Sequence, residues 1–210
     1  DKGSNASSTA LHFDTSDFDD PSIGRTVTLD IYNTQKPALS HNIDGKGGLS
    51  VFGCGAFNIK TGHLVFTGGF AASNGVNVVL APGSAAATRG GTKLGNGPAV
   101  FHPGTTLTLA SASSVNCALG GSLTMNENTS IVYSNLVESV HPLSMTVFST
   151  GSATAESPVN LKFEGPVLAD GIYHIMYGNS TAFTSAMLEA MAVSGTAIEG
   201  KNAELVASTN

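Results

Sequence analysis

Charge is scarce in this sequence. Lys, Arg, Asp and Glu make up 11% of its 210 residues, against about 25% in an ordinary soluble domain. Basic residues are the scarcest of all: there are nine, none lies between Lys93 and Lys162, and the formal net charge is −6. Recognition of a phosphate backbone needs several cations on one face, so nucleic acid is excluded as a partner. Tryptophan is absent and aromatic residues reach only 7%. No run of 18 or more apolar residues occurs, which excludes a membrane-spanning helix in this chain. The start, Asp1-Lys2-Gly3-Ser4-Asn5, is not an intact signal peptide, although a mature or excised fragment would begin in the same way.

Cysteine is nearly absent too. Cys54 and Cys117 are too few and too far apart for a zinc site, which draws on about four ligands in close pairs. Two readings stay open for them: one disulfide, if the compartment is oxidising, or two small residues buried in strands.

What is abundant is small and neutral. Gly, Ser, Thr and Asn dominate the polar composition, and hydrophobic residues make up 41%. That apolar share with so little charge is the opposite of a disordered composition. The length fits one all-β domain and is sufficient to bury a core without metal or disulfide staples. Low charge with this much Ser, Thr, Asn and Gly suits a secreted or outer-surface location.

Helix signals are confined to 184–192, a stretch that ends at Ser194-Gly195. Elsewhere short runs of β-branched and apolar residues alternate with Gly, Asn and Pro, over 26–32, 64–66, 76–80, 105–109, 130–133 and 160–163. Each run has the period-2 pattern of a strand with one buried face. Gly48-Leu49-Ser50-Val51-Phe52-Gly53 is echoed from Gly62 and again from Gly75, at nearly equal spacing, and more loosely from Gly104 and Gly121. A repeated strand-plus-turn unit that cannot bury its own face predicts stacked coils, so the expected fold is an all-β parallel β-helix, or solenoid. A β-sandwich of jelly-roll type is the alternative, since it also spaces short strands with turn signals between them. The expected organisation is one compact unit, with an acidic segment over 1–47 capping a solenoid over 48–210.

The stretch Val159-Asn160-Leu161-Lys162-Phe163 followed by Leu168-Ala169-Asp170-Gly171-Ile172-Tyr173-His174-Ile175-Met176 resembles the end of bacterial autotransporter-type passenger segments. There a strand is followed by a Gly-x-Tyr-x-Leu/Ile step. The Gly-Ser-Leu-Thr-Met and Gly-Thr-Thr-Leu-Thr-Leu pieces are similar to the associated strand repeats, and the resemblance covers about residues 48–178. The repeats here are irregular and no membrane barrel follows within the chain. The resemblance implies a secreted or cell-surface passenger of a Gram-negative bacterium, and no particular activity.

The acids are unevenly placed. Seven of the eight aspartates lie in the first 44 residues, and Asp14, Asp17, Asp19 and Asp20 crowd together. A hard cation such as calcium takes six to eight oxygens, so these four are candidate ligands for a calcium-dependent adhesion module, although the spacing is not that of an EF-hand. A solvated acidic loop is the plainer reading. Paired carboxylates also activate water. Asp14 and Asp17, with Asp19 or Asp20, are therefore candidate catalytic residues of a carboxylate-dependent protease or glycosidase. Neither Asp14-Thr15-Ser16, Asp44-Gly45 nor Asp170-Gly171 completes the Asp-Thr/Ser-Gly turn of aspartic proteases. In habitat rather than motif, the chain is similar to small-residue-rich exported proteins of gut commensals, among which mucin degraders occur. Glu127, Glu138, Glu156 and Glu164 are further carboxylates of the kind that sugar hydrolysis uses in pairs.

The six histidines are scattered, with no His-Glu-x-x-His, so the signature of a zinc hydrolase is missing. In Arg89-Gly90-Gly91-Thr92-Lys93, Arg89 and Lys93 are candidate contacts for a sulfated or sialylated glycan on a protruding loop. Few bases and nearly uncharged central strands favour a binding or scaffold protein that engages host or matrix glycoprotein, mucin glycans included, over an enzyme. No cofactor is expected apart from calcium.

Overall fold

A computed structural model of the chain describes residues 11–14, 26–30, 43–45, 49–53, 56–61, 64–66, 70–73, 75–80, 98–109, 117–118, 121–138, 142–179 and 182–208. Its strands come in an order that repeats along the chain. They are β1 (Leu11–Asp14), β2 (Thr26–Asp30) and β3 (Ile43–Gly45), then β4 (Leu49–Phe52), β5 (Ala56–Thr61) and β6 (Leu64–Phe66). There follow β7 (Phe70–Ala72), β8 (Asn77–Leu80), β9 (Ala99–Phe101), β10 (Thr106–Leu109) and β11 (Cys117–Ala118). The later ones are β12 (Ser122–Met125), β13 (Ser130–Ser134), β14 (Leu143–Met145), β15 (Val147–Ser149), β16 (Val159–Glu164) and β17 (Met176–Gly178). A short helix, α1 (Ser185–Glu189), strand β18 (Met191–Ser194) and a 3-10 turn at Thr196–Ile198 are the last described elements.

All pairing among the described strands is parallel, and each coil visits the same faces in turn. One face is a six-stranded sheet in the order β1-β4-β7-β9-β12-β15. The next is a seven-stranded sheet in the order β18-β16-β13-β10-β8-β5-β2, and the third carries β11-β14-β17 and β3-β6. This is the expected solenoid. The sandwich is excluded, because its hairpin-connected strands would be antiparallel.

The short repeat has a different meaning from the one its spacing suggests. β4, β6 and β8, which carry the echoes from Gly48, Gly62 and Gly75, lie on three different faces. One such step therefore moves the chain around a coil rather than up the stack. Partners in the seven-stranded sheet are much further apart along the chain, as Ala56 opposite Asn77 and Val159 opposite Met191. Closing the three faces and their corners takes more chain than a single short unit supplies. Residues 1–47, expected to cap the core, supply β1, β2 and β3, which pair with β4, β5 and β6.

Alternation puts apolar side chains inside in registered columns. Val78, Leu107, Ile131 and Leu161 follow one another through the seven-stranded sheet, all fully buried. Two residues further along, Leu109, Tyr133 and Phe163 form a second column, with the Tyr133 and Phe163 rings stacked 5.2 Å apart. The six-stranded sheet alternates bulk. Phe70, Ala99, Leu123 and Phe148 occupy one column, so the small Ala99 makes room between larger neighbours in a close-packed interior.

The corner between these sheets is a stacked turn. Gly75, Gly104 and Asn128 hold φ of 83°, 80° and 55° at matching places, a conformation that glycine and asparagine adopt most readily. The Thr105 hydroxyl donates to the His102 carbonyl at 2.6 Å and the Thr129 hydroxyl to the Asn126 carbonyl at 2.7 Å. Asn126 ties coils together: its Nδ2 donates to the Phe101 carbonyl at 3.0 Å, and its Oδ1 accepts from the N–H and the hydroxyl of Ser152. Asn126→Ala removes all three bonds from a half-buried site and is expected to cost about 1–3 kcal/mol, read as a fall in the thermal midpoint.

Candidate functional site

The second corner follows the seven-stranded sheet, and there the coils separate. Asn135, with φ of 56°, donates its N–H to the Glu164 carbonyl at 2.9 Å just beyond the β13–β16 pairing. Gly165, with φ of 127°, lies so close that a Cβ on it would stand 2.8 Å from Asn135 Oδ1. Past this pinch the loops after β13 and β16 diverge, leaving a groove of about 380 Å³.

Asn135, Val137 and Glu138 form one wall, and Pro166, Val167 and Tyr173 the other. Leu136 is buried beneath the first wall, while Val137 and Val167 remain 36% and 60% exposed. The second wall is fixed at both ends: the Leu168 N–H donates to the Ala197 carbonyl at 2.8 Å, and the Tyr173 hydroxyl donates to the Ala169 carbonyl at 3.2 Å. Glu138 and Tyr173 meet at Gly171, where a Cβ would lie 3.5 Å from Glu138 Oε1 and 3.8 Å from a ring carbon of Tyr173. The site therefore offers a half-buried aromatic ring, a carboxylate, an amide and apolar ledges.

The same corner is bound to the C-terminal segment. The Thr196 hydroxyl donates to Glu164 Oε2 at 2.9 Å, and Lys201 Nζ pairs with Asp170 at 2.6 Å. The hydrogen bond from Lys201, and then its charge, hold the Asp170 carboxyl below the usual carboxylate range. A lowered folded-state pKa means that the contribution is present above the unfolded carboxylate value of about 3.9 and is lost as pH falls through the lowered value. Asp170 is fully exposed, so solvent screening keeps the effect small. Lys201→Met is expected to lower the thermal midpoint slightly at pH 7, with the two curves merging in strong acid. A second depression of about 460 Å³, lined by Val193, Gly195, Ile198 and Lys201 among others, lies beside β18.

Of the residues singled out in the sequence, Asp14 is exposed at the end of β1. Asp17, Asp19, Asp20, Arg89, Lys93 and Cys54 lie outside the described residues. Cys117 contributes backbone to β11. Among the described residues no group of three or more His, Cys, Asp or Glu is placed to hold a metal ion. The glutamates divide between corners: Glu127 is in the stacked turn and Glu156 in the loop above it, whereas Glu138 and Glu164 stand at the second corner, with only Glu138 lining the groove. The His102 carbonyl accepts the Thr105 N–H at 3.2 Å in the stacked turn.

Tyr173 is visible in the sequence as part of a Gly-x-Tyr strand step, but residues 171–175 form a loop and the strand begins at Met176. Glu138 carries no local signal; only coil stacking brings it beside Gly171.

The fold defines the chain as a parallel β-solenoid with an apolar-walled corner groove. No protein-family model, curated protein or solved structure matches it significantly.

Proposed function

We propose that this chain is a secreted or cell-surface β-solenoid, of the kind that serves as an autotransporter-type passenger, and that it binds glycans of a host or matrix glycoprotein such as mucin. The observation that carries the reading is the convergence of the Tyr173 ring, the Glu138 carboxylate and the Asn135 amide on one open groove. A sugar ring has an apolar C–H face and a rim of hydroxyls, so it needs an aromatic or aliphatic platform together with a few polar groups that fix its orientation. The stacked core supplies a rigid base for those groups, and the nearly uncharged strands leave the chemistry to the corners.

The test is retention on immobilised mucin, with elution by free oligosaccharide. The full chain is expected to be retained, and Glu138→Gln, which keeps the shape and removes the charge, to bind about tenfold more weakly. A chain that passes through unretained would refute the reading.

A further inference from the structure

The groove does more than suit sugars in general; its charge and its apolar walls select among them. Building on the proposed glycan binding, we infer that the site takes neutral glycans bearing an acetamido group, the N-acetylhexosamine class, and rejects sialylated or sulfated ends.

Charge comes first. Among the described residues, Glu138 is the one ionised side chain lining the groove, and Glu164 and Asp170 stand on the same corner. Lys201, a cation at this corner, is already held by Asp170 at 2.6 Å. An anionic sugar would bring a second negative charge toward Glu138 with no cation in the described lining to meet it, which disfavours binding. A neutral sugar carries no such penalty.

The walls then narrow the neutral class. Val137, Pro166 and Val167 present apolar surface beside the Tyr173 ring. An acetamido group adds a methyl for that surface and an amide N–H that an ionised carboxylate accepts strongly. Its carbonyl in turn is a partner for the Asn135 amide. The volume, about 380 Å³, suits one or two sugar rings.

Gly171 supplies the decisive variant. Its missing side chain leaves open the point where Glu138 and Tyr173 converge, and the contacts a Cβ would make there, at 3.5 and 3.8 Å, are ordinary van der Waals distances. Gly171→Val therefore sets a branched apolar side chain against the Glu138 carboxylate and the Tyr173 ring, the two groups that line the groove.

Calorimetric titration of the full chain with three probes tests the inference: triacetylchitotriose, cellotriose and 3′-sialyllactose. Triacetylchitotriose is expected to bind about tenfold or more tightly than cellotriose, as one charge-assisted hydrogen bond implies. Sialyllactose should bind most weakly, and Gly171→Val should abolish binding with an unchanged melting temperature. If Gly171→Val fails to fold, Glu138→Gln provides the same reading through loss of the preference for the acetamido sugar. Equal binding of triacetylchitotriose and cellotriose, or preferential binding of sialyllactose unaffected by the variants, overturns the selectivity and leaves glycan binding standing. Absence of binding to all three, together with no retention on mucin, overturns both.

Discussion

Replacing Gly195 by alanine is expected to lower the melting temperature by roughly 10 °C. Gly195 follows β18 directly, holds φ at 120°, and lies against the backbone of β16. A Cβ there would overlap the Phe163 carbonyl oxygen and stand 2.5 Å from its nitrogen. Those atoms belong to a paired strand at the top of the Leu109–Tyr133–Phe163 column, so they cannot swing aside as a side-chain tip would. Backbone strain and overpacking each cost about 1–3 kcal/mol. Together, about 2–6 kcal/mol corresponds to the stated shift at about 2–4 °C per kcal/mol for a chain of this size. Gly200 is the control. It holds φ at 72°, but a Cβ would meet nothing within 4 Å, so Gly200→Ala should cost only about 1–2 kcal/mol. A scanning-calorimetry comparison of the two variants separates steric overlap from conformational preference.

The second large effect belongs to the core. Leu107 is fully buried between Val78 and Ile131 in the longest column of the seven-stranded sheet. Leu107→Ala is expected to cost about 2–5 kcal/mol through lost burial and the cavity left behind. Its neighbour Thr108 faces outward, with its hydroxyl donating to Asn77 Oδ1 at 2.8 Å. Thr108→Val should cost no more than about 1 kcal/mol, because that bond is partly solvated. Urea unfolding of both variants checks the inward–outward alternation on adjacent residues of one strand. Similar losses at both positions would contradict the assigned register.

How much of the fold is readable in advance depends on the range of the interaction. The runs over 105–109 and 130–133 betray themselves by local alternation, and they form β10 and β13 nearly as expected. The residue that leads into such a run behaves differently: Thr105 and Thr129 are fully buried in the stacked turn, their hydroxyls spent on the carbonyls of His102 and Asn126. The helix signal over 184–192 is half right. Thr184 caps α1, accepting the Met187 N–H at 3.3 Å, but the helix stops at Glu189 because Met191 pairs with Val159. There the ladder outweighs local propensity. Coil length is hidden for a related reason, since turns on different faces use the same glycine chemistry. The groove is least legible. Glu138 and Tyr173 lie in loops of successive coils, and only the register of β13 on β16 brings them together.

Hydrogen–deuterium exchange on the full chain, with and without triacetylchitotriose, tests the central claim most directly: a rigid stack of nearly uncharged strands presents its ligand site at one corner. Ligand-dependent protection is expected across residues 135–138 and 166–173, with β10, β13 and β16 slow to exchange in either state. Protection confined to residues 11–14, or no protection at the corner while binding is demonstrable, would contradict it.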